Sequence, residues 1–205
     1  ARLCPDRGEV YRIHQARGRT SFVSRFWNPA ANCLYDVIDV DHQAGAIDPR
    51  VRPNQIFAVG GLPLSLLPED RARAVVATVE AKLLTPVGLR TLAPEDPAYV
   101  GRYAGDPATR DRAYHQGTVW PWLLGPFVEA WVRVQGNTVD ARRQARARFI
   151  TPRVDEVAAL ATAGVGHVSE VFDGDPPHRA GGCPFQAWSL AELIRLDRAL
   201  AGPPQ

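Results

Sequence analysis

The chain has 205 residues, enough for one large domain or for part of a longer one, and we treat residues 1–205 as a portion of a single domain. Its 45% hydrophobic and 22% charged residues are typical of a globular protein that buries a core. The net charge of +2 argues against a dedicated nucleic-acid surface, and we interpret the basic run 142–148 as a solvated helix face because no aromatic residue interrupts it.

Cysteine usage and hydropathy indicate a reduced, cytoplasmic location. The three cysteines are widely spaced and odd in number, which matches neither a metal site nor a disulfide framework. No apolar run approaches the ~20 residues that cross a bilayer, and residues 1–7 do not form a signal peptide. No nucleotide-binding fingerprint is present, so we expect no cofactor. From the charge, the cysteine spacing and the hydropathy, we expect no nucleic-acid partner, no metal and no membrane partner. The chain has no methionine, even at position 1, which indicates a portion of something longer.

Hydrophobic periodicity predicts helices separated by long loops. In the clearest helix, Pro68 suits the first helical position, and Thr138 is placed to cap a later one. Residues 118–134 are apolar nearly all round, which predicts burial on several sides, and no segment shows sustained period-two alternation. The predicted fold class is therefore all-α, with helices over residues 9–27, 54–66, 68–84, 118–134, 138–163 (bent near Pro152) and 184–200, and long loops over 28–53 and 86–117.

A carboxylate lies in a turn-rich, aromatic loop near the end of the chain. Glu170 belongs to the stretch Ser-Glu-Val-Phe-Asp-Gly at 169–174, and Gln186 and Trp188 follow at the start of the last helix. Sugar chemistry uses such groups: a carboxylate that activates water or attacks the sugar, an aromatic face for a pyranose ring, and an amide for hydroxyls. The alternative is a structural carboxylate whose oxygens accept hydrogen bonds from loop amides.

The last helix is expected to turn one apolar side to the core, formed by Ala187, Leu190, Ala191 and Ile194.

The second long loop, rich in proline and glycine, ends in another polar and aromatic group. A loop of this length is usually functional or disordered, and its tyrosines favour function. Tyr114, His115 and Gln116 lead into Trp120 and Trp122 at a predicted helix start, where unpaired backbone N–H groups can donate to ligand oxygens. These side chains suit a neutral polyol better than an anion. Either tryptophan can instead belong to the core, Trp122 more readily than Trp120.

Arg52 and Arg90 lie in predicted loops beside amide or hydroxyl groups. Asn54 and Gln55 follow the first arginine, and Thr91 follows the second. Each arginine can hold sugar hydroxyls or pair with a loop aspartate, and the sequence does not separate the two. The aspartates of the first loop do not have the spacing of a calcium-binding EF-hand, so a solvated loop is the better interpretation of Asp36, Asp39, Asp41 and Asp48.

Taken together, these motifs resemble the C-terminal glucosidase domain of glycogen debranching enzymes of the bacterial and archaeal amylo-α-1,6-glucosidase type. They occur in the family's order over about residues 20–197, and several long motifs in order are far more specific than one short pattern. The matching stretches are 52–58, 84–92, Asp96-Pro97 with Tyr99, Gly101 and Tyr103, 114–122, 170–174 and 186–189.

The resemblance implies an (α/α)6 toroid, whose helices form an inner and an outer ring with the active site in loops at one end. A complete toroid needs roughly twice this length, so we expect only its C-terminal half here. In the family the general acid is an aspartate in an upstream motif that contains tryptophan and methionine, and residues 1–50 hold no match. Asp106 and Asp111 are conceivable substitutes, but no motif supports either of them.

The resemblance also implies hydrolysis of the single α-1,6-linked glucose left on trimmed branches of glycogen or limit dextrin, with inversion at the anomeric carbon. Glu170 takes the position of the general base, and the expected partner is glycogen or an α-glucan oligosaccharide. The alternatives are a non-catalytic carbohydrate-binding or scaffold remnant of such a domain, or a related toroidal α-glucosidase. The substrate-binding residues implied by this resemblance are Arg52, Asn54, Gln55, Arg90, Tyr114, His115, Gln116, Trp120, Gln186 and Trp188.

Half of a toroid lacks the general acid and leaves apolar faces uncovered. We therefore expect the isolated chain to be inactive or nearly so. We also expect it to self-associate, to bind the missing upstream half of the domain, or to be only marginally stable, because exposed apolar patches promote association. The residues expected to need such neighbours are Trp120, Trp122, Phe127 and Trp131.

Overall fold

The computed structural model describes residues 8–152 and 167–202. Helices dominate this part of the chain, in agreement with the predicted helix-rich class. Its α-helices are α1 (Gly8–Arg25), α2 (Glu69–Leu83), α3 (Pro107–Ala113), α4 (Leu124–Val134), α5 (Val139–Ala145) and α6 (Ala187–Ala201). Short 3-10 turns cover Val40–His42, Pro53–Ala58 and Pro121–Leu123, and a π-helical turn covers Arg146–Ile150.

Short strands that hydrophobic periodicity does not predict lie between the helices. β1 (Trp27–Asn28) pairs with β2 (Cys33–Leu34), and β3 (Val37–Ile38) pairs with β4 (Ile47–Asp48). A larger antiparallel sheet has the strand order β5-β6-β7-β8-β9. Each strand is only two or three residues long, too short to show a period-two pattern. The strands of the larger sheet are β5 (Leu84–Thr85), β6 (Gly88–Arg90), β7 (Val119–Trp120), β8 (Val171–Phe172) and β9 (Ala180–Gly181).

Most predicted helices are observed near their predicted positions, but the prediction of a loop over 86–117 is wrong for α3, which lies within it. Pro68 precedes α2 as its N-cap residue instead of occupying the first helical position. The helix predicted over 118–134 begins as strand β7 and a 3-10 turn, because residues 119–120 pair with neighbouring strands. The helix predicted over 54–66 reduces to Pro53–Ala58, since two glycines and a proline follow directly.

The helix predicted over 138–163 consists of α5 and the π-helical turn, and it continues to residue 152. The hydroxyl of Thr138 accepts a hydrogen bond from the Ala141 amide at 3.1 Å, so the predicted cap is confirmed. The continuation to 163, with the predicted bend near Pro152, extends beyond the described residues.

The basic run 142–148 is tied to the neighbouring helix α6. Nε of Arg146 lies 2.7 Å from Oδ1 of Asp197 in an exposed ion pair. Arg142 is buried, and its Nη1 donates to the Ala199 carbonyl at 2.8 Å near the C-terminal end of α6, where carbonyls attract cations. The expectation of a solvated face is therefore wrong for Arg142, because this side chain caps a second helix.

Helix α4 lies at the centre of the packed region, as its uniformly apolar sequence predicts. It contacts α2, α5 and α6. The rings of Phe127 and Trp131 both meet Phe149 edge-on, with centroids 5.4 and 5.3 Å away. The prediction that missing neighbours must cover Trp120, Phe127 and Trp131 is wrong, because other parts of the same chain bury all three, whereas Trp122 is only partly buried.

The buried side of α6 is not the predicted one. Ile194 is 47% exposed, whereas Leu193 and Leu196 face the core. Both sets of apolar residues have helical spacing, so periodicity cannot tell which set α4 and α5 cover. The buried residues are Ser189, Leu193, Leu196 and Leu200, and of the predicted set Ala187, Leu190, Ala191 and Ile194 only Leu190 is partly buried against the core.

Helix α1 lies along the outside of the packed region, and most of its side chains are exposed. Its C-terminal end is attached where Arg71 donates to the Val23 carbonyl at 2.7 Å and where Phe22 stacks on Phe26 with centroids 4.7 Å apart. Neither this helix nor any other in the described residues is long and apolar enough to cross a membrane.

Gly60 lies in the turn after Pro53–Ala58, directly against the backbone of α4, where a side chain has no room. A Cβ at this position would lie 2.5 Å from the backbone nitrogen and 2.7 Å from the Cβ of Ala130. We expect Gly60→Ala to lower the free energy of unfolding by about 1–3 kcal/mol, because the added methyl group would overlap the backbone of α4 and one of the two segments would have to move. Urea denaturation measures this loss.

Gly18→Ala in α1 is the matched control, since nothing lies within 4 Å of a Cβ placed there. It is expected to leave stability unchanged or to raise it by up to about 1 kcal/mol, because alanine is the better helix former. Equal stabilities of the two variants would contradict the close approach at Gly60.

Candidate active site

Glu170 lies directly before β8, at the open end of the hairpin that β8 and β9 form. Its amide donates to the Cys183 carbonyl at 2.8 Å, and the Cys183 amide donates to Oε2 of the Glu170 carboxylate at 3.0 Å. The side chain is partly buried. The two ends of the hairpin therefore fix the backbone of Glu170 and one oxygen of its carboxylate together.

The other carboxylate oxygen accepts a hydrogen bond from a tyrosine. The Tyr114 hydroxyl donates to Oε1 of Glu170 at 2.5 Å. Burial and, after it, the hydrogen bond to Glu170 raise the pKa of Tyr114 well above its usual range. Tyr114 therefore keeps its proton, and each oxygen of Glu170 has a neutral donor.

The turn opposite Glu170 requires a glycine. Gly182 has φ +66°, a left-handed conformation that side chains rarely adopt, and a Cβ there would overlap Oε2 of Glu170. The close approach of this turn to the carboxylate depends on the missing side chain.

An aromatic cluster surrounds the Tyr114 hydrogen bond. The ring of Trp120 meets Tyr114 edge-on at 4.7 Å, and His115 stacks on Trp120 at 5.5 Å. Trp188 is 46% exposed and stacks on Trp122 with centroids 5.4 Å apart. The cluster thus continues from the buried surroundings of Glu170 to an indole that reaches solvent; its members are Phe57, Tyr103, Tyr114, His115, Trp120, Trp122 and Trp188.

A brace segment, residues 99–103, holds the hairpin from the side. The Tyr99 hydroxyl donates to Oδ1 of Asp175 at 2.9 Å, and the Tyr103 amide donates to Oδ1 of Asp173 at 2.8 Å. Burial, followed by the bond to Asp175, raises the pKa of Tyr99 to about 12. Because Asp173 and Asp175 belong to the hairpin that begins at Glu170, the brace limits movement of the carboxylate.

Arg52 cross-links two loops beside the cluster. Its Nη1 donates to the carbonyls of Thr91 and His115 at 3.0 and 2.6 Å, and its Nη2 donates to Oε1 of Gln116 at 2.9 Å. Its Nε lies 3.5 Å from Oδ2 of Asp36. The geometry therefore favours the pairing alternative for Arg52 over a direct role in holding sugar hydroxyls.

Asn54 and Gln55 are engaged in the same way. Asn54 donates to Oδ1 of Asp36 at 2.8 Å, while the buried Gln55 accepts from the Leu34 amide at 3.3 Å and donates to the Arg52 carbonyl at 3.1 Å. These side chains hold the loop in place, and their predicted contact with substrate stays a prediction.

Arg90 and Gln186 both bond to backbone carbonyls near Glu170. Nε of Arg90, on β6, donates to the Gly174 carbonyl at 2.9 Å. Gln186 stands at the N-terminal end of α6, where its backbone amide donates to the Val168 carbonyl at 3.0 Å. Both residues lie beside the segment that contains Glu170, and their predicted contact with substrate stays a prediction.

The structure adds residues that the sequence-based site lacks. Tyr103, Asp173 and Gly182 each contribute to the setting of Glu170, although no substrate role is expected of them. Tyr99 and Tyr103 belong to one of the stretches that resemble the family, and Asp173 belongs to the stretch that contains Glu170. The sequence therefore contained a signal for these residues. Nothing in the sequence pairs the Cys183 amide with the carboxylate, because that contact arises from the strand register.

Asp106 does not have the setting of a general acid. It is the N-cap of α3, and its carboxylate accepts a hydrogen bond from the Thr109 amide at 2.8 Å. This bond lowers the pKa of Asp106, whereas a general acid needs a raised one. Among the described residues, no group of three or more His, Cys, Asp or Glu side chains is arranged to hold a metal ion.

Comparison with known proteins decides the family. The family described as "Amylo-alpha-1,6-glucosidase" matches residues 3–195. The chain belongs to the amylo-alpha-1,6-glucosidase family. This family of glycoside hydrolases is the one that the sequence motifs resemble, so that prediction is confirmed. The glycogen debranching enzyme of Saccharomyces cerevisiae (strain ATCC 204508 / S288c) is 39% identical over 90 residues, which are 41% of this chain and 6% of that protein.

Solved structures show the fold. Neutral trehalase from Saccharomyces cerevisiae superimposes with a TM-score of 0.55 and 16% sequence identity over 91% of this chain. This likeness confirms the predicted fold class. The chain covers 32% of the trehalase chain, so it corresponds to about a third of that structure.

The contact between Gly182 and Glu170 can be tested by substitution. We expect Gly182→Ala to push the carboxylate away from the Cys183 amide and to speed hydrogen exchange of that amide about tenfold, since it loses a charged acceptor. NMR-detected exchange at neutral pH measures the rate.

Gly45→Ala is the matched control, because Gly45 also has a positive φ, +84°, but nothing lies within 4 Å of its Cβ position. Both variants introduce the same kind of backbone strain, and only the first should expose the Cys183 amide. Unchanged exchange in Gly182→Ala would contradict the assigned contact.

Proposed function

We propose that this chain supplies the general base and part of the sugar site of an α-1,6-glucosidase, which removes single glucosyl residues from branches of glycogen or limit dextrin with inversion. The observation that carries the proposal is the Glu170 carboxylate, whose oxygens accept hydrogen bonds from Tyr114 at 2.5 Å and from the Cys183 amide at 3.0 Å. Membership of the amylo-alpha-1,6-glucosidase family supports the same reaction class.

Glu170 acts on a water molecule in this proposal. Each oxygen of its carboxylate accepts one described hydrogen bond and keeps a second lone pair. A free lone pair accepts a proton from water while the water oxygen bonds to the anomeric carbon. The bond from that carbon to the branch-point oxygen breaks, and this oxygen takes a proton from a general acid ~6.5–9.5 Å away from the base. The acid is the upstream aspartate that the family resemblance implies.

The sugar-binding surface in this proposal is the solvent-facing part of the aromatic cluster. Trp188 is exposed yet supported by the stacked Trp122 ring, so a pyranose can lie against a fixed indole. Gln186 at the start of the same helix supplies an amide, and His115 a ring nitrogen. Other predicted site residues support this surface from the protein interior through the contacts described above. They are Arg52, Asn54, Gln55, Arg90, Gln116 and the buried Trp120.

The chain works with a further part of the domain in this proposal. It covers 32% of the trehalase structure and 6% of the yeast debranching enzyme, so a closed six-hairpin toroid needs additional chain. Val10, Tyr11 and Ile13 leave apolar surface exposed along α1, which an upstream half of the domain or a second copy can cover. Cytoplasmic glycogen breakdown by the whole protein belongs to the same proposal.

A second candidate function is a non-catalytic carbohydrate-binding module. The exposed Trp188 favours it, because a stacking surface for sugar needs no general acid. The setting of Asp106 points the same way, since this described carboxylate lacks the environment of an acid catalyst. In the first candidate, glucose release requires Glu170. In the second, the Trp188 indole binds the sugar and Glu170 has no catalytic role.

Glucose release from a glucan with single α-1,6-linked glucosyl stubs tests the first candidate. We expect no turnover by this chain alone, turnover when the upstream half of the domain is supplied, and a loss of at least about a hundredfold in kcat with Glu170→Gln, because the amide cannot accept the proton. Full activity of the complemented Glu170→Gln variant would exclude Glu170 as the base.

Glucan affinity tests the sugar surface in both candidates. Trp188→Ala should weaken malto-oligosaccharide binding, measured by calorimetry, by about 1–2 kcal/mol through loss of the stacking face. Ile194→Ala is the control, since Ile194 is a similarly exposed apolar residue on the same helix and lies outside the aromatic cluster. Equal affinities of the two variants would exclude Trp188 from the site. Binding without any turnover in the complemented mixture would favour the binding module.

A further inference from the structure

The Tyr114 side chain contacts other protein groups through both its hydroxyl and its ring. Its hydroxyl donates to Glu170 at 2.5 Å, and its ring lies between Tyr103 at 5.7 Å and Trp120 at 4.7 Å. Trp120 adds a further tie, because its Nε1 donates to the Tyr114 carbonyl at 3.1 Å. Tyr114 could donate a hydrogen bond to a sugar hydroxyl only by breaking its bond to the carboxylate, because its single hydroxyl proton is already used.

We propose that Tyr114 is a positioning residue for Glu170: it aims the carboxylate through the hydroxyl hydrogen bond, and it does not bind the sugar. This inference rests on the proposed function only in taking Glu170 as the base. The Cys183 amide fixes Oε2, so the Tyr114 hydroxyl on Oε1 removes the remaining rotation of the carboxylate plane. The lone pairs left on the two oxygens for water then have fixed directions.

The brace segment 99–103 explains how Tyr114 itself is held. The Tyr103 ring packs against Tyr114, and the Tyr103 amide is bonded to Asp173, which is buried within the hairpin. The hairpin therefore positions the brace, the brace positions Tyr114, and Tyr114 positions the carboxylate at the start of the same hairpin. A closed set of contacts of this kind keeps a catalytic group in place with little freedom.

The charges around Tyr114 also fit this role. The titratable groups that face it are Glu170, Tyr103 and Asp111, all of which raise its pKa, and the His115 ring lies 4.9 Å away. Since these neighbours disfavour a tyrosinate, the hydroxyl proton stays available to the carboxylate at neutral pH.

The contact can be tested without any activity, on the isolated chain labelled with ζ-¹³C tyrosine. Tyr114→Phe identifies the Tyr114 resonance, and Tyr99→Phe identifies that of the other tyrosine with a raised pKa. In an alkaline titration followed by NMR, with circular dichroism to verify folding, Glu170→Gln should make Tyr114 ionise at lower pH and leave Tyr99 unchanged. An unaltered Tyr114 titration in Glu170→Gln would overturn the proposal.

Kinetics of the mixture with the upstream half test the consequence. Tyr114→Phe keeps the ring and removes only the hydroxyl, so kcat should fall about tenfold or more with little change in KM. Tyr35→Phe is the control, because Tyr35 lies between β2 and β3, outside the hairpin, the brace and the aromatic cluster, and it should leave kcat and KM unchanged.

The outcomes separate this inference from the proposed function. A raised KM with unchanged kcat in Tyr114→Phe would show a sugar ligand and overturn the positioning role. Retained activity of Glu170→Gln would remove the proposed base, whereas the NMR titration would still report whether Tyr114 and Glu170 form the pair.

Discussion

The pairing of β7 with β8, through Val119 and Phe172, is the contact on which the candidate site depends. It joins segments more than fifty residues apart and places the Tyr114 to Trp120 region beside the hairpin that begins at Glu170. Both paired residues are fully buried, so the pairing is also part of the core. The strands of a small antiparallel sheet can move little once its interior strands are packed in the core. The Glu170 carboxylate, directly before β8, therefore has a defined position.

Neutral donors set the electrostatics of this position. Glu170 receives its described hydrogen bonds from a hydroxyl and an amide, and neither donor carries a charge. Arg52, only one loop away, directs its guanidinium to backbone carbonyls and to Gln116 instead. Each oxygen of the Glu170 carboxylate accepts one of its described hydrogen bonds and keeps a second lone pair for water.

The packing gives the described residues a hydrophobic core of their own. The large aromatic residues Phe127 and Trp131 are buried against the π-helical turn that holds Phe149, within the same chain. Large apolar residues that stay exposed are spread over several segments, among them Val10 and Ile13 on α1 and Ile194 on α6.

The sequence by itself determined the helix-rich class, the burial of α4, the cap at Thr138 and the family, because periodicity, capping and ordered motifs are local properties that do not depend on distant contacts. It also placed Glu170 in an aromatic loop beside a helix start. Only the tertiary structure decided which side of α6 is buried, since two sets of leucine, isoleucine and alanine residues have equal helical spacing. Likewise, the two-residue strands carry no periodic signal, and their register alone brings Tyr114 and the Cys183 amide to the two oxygens of Glu170.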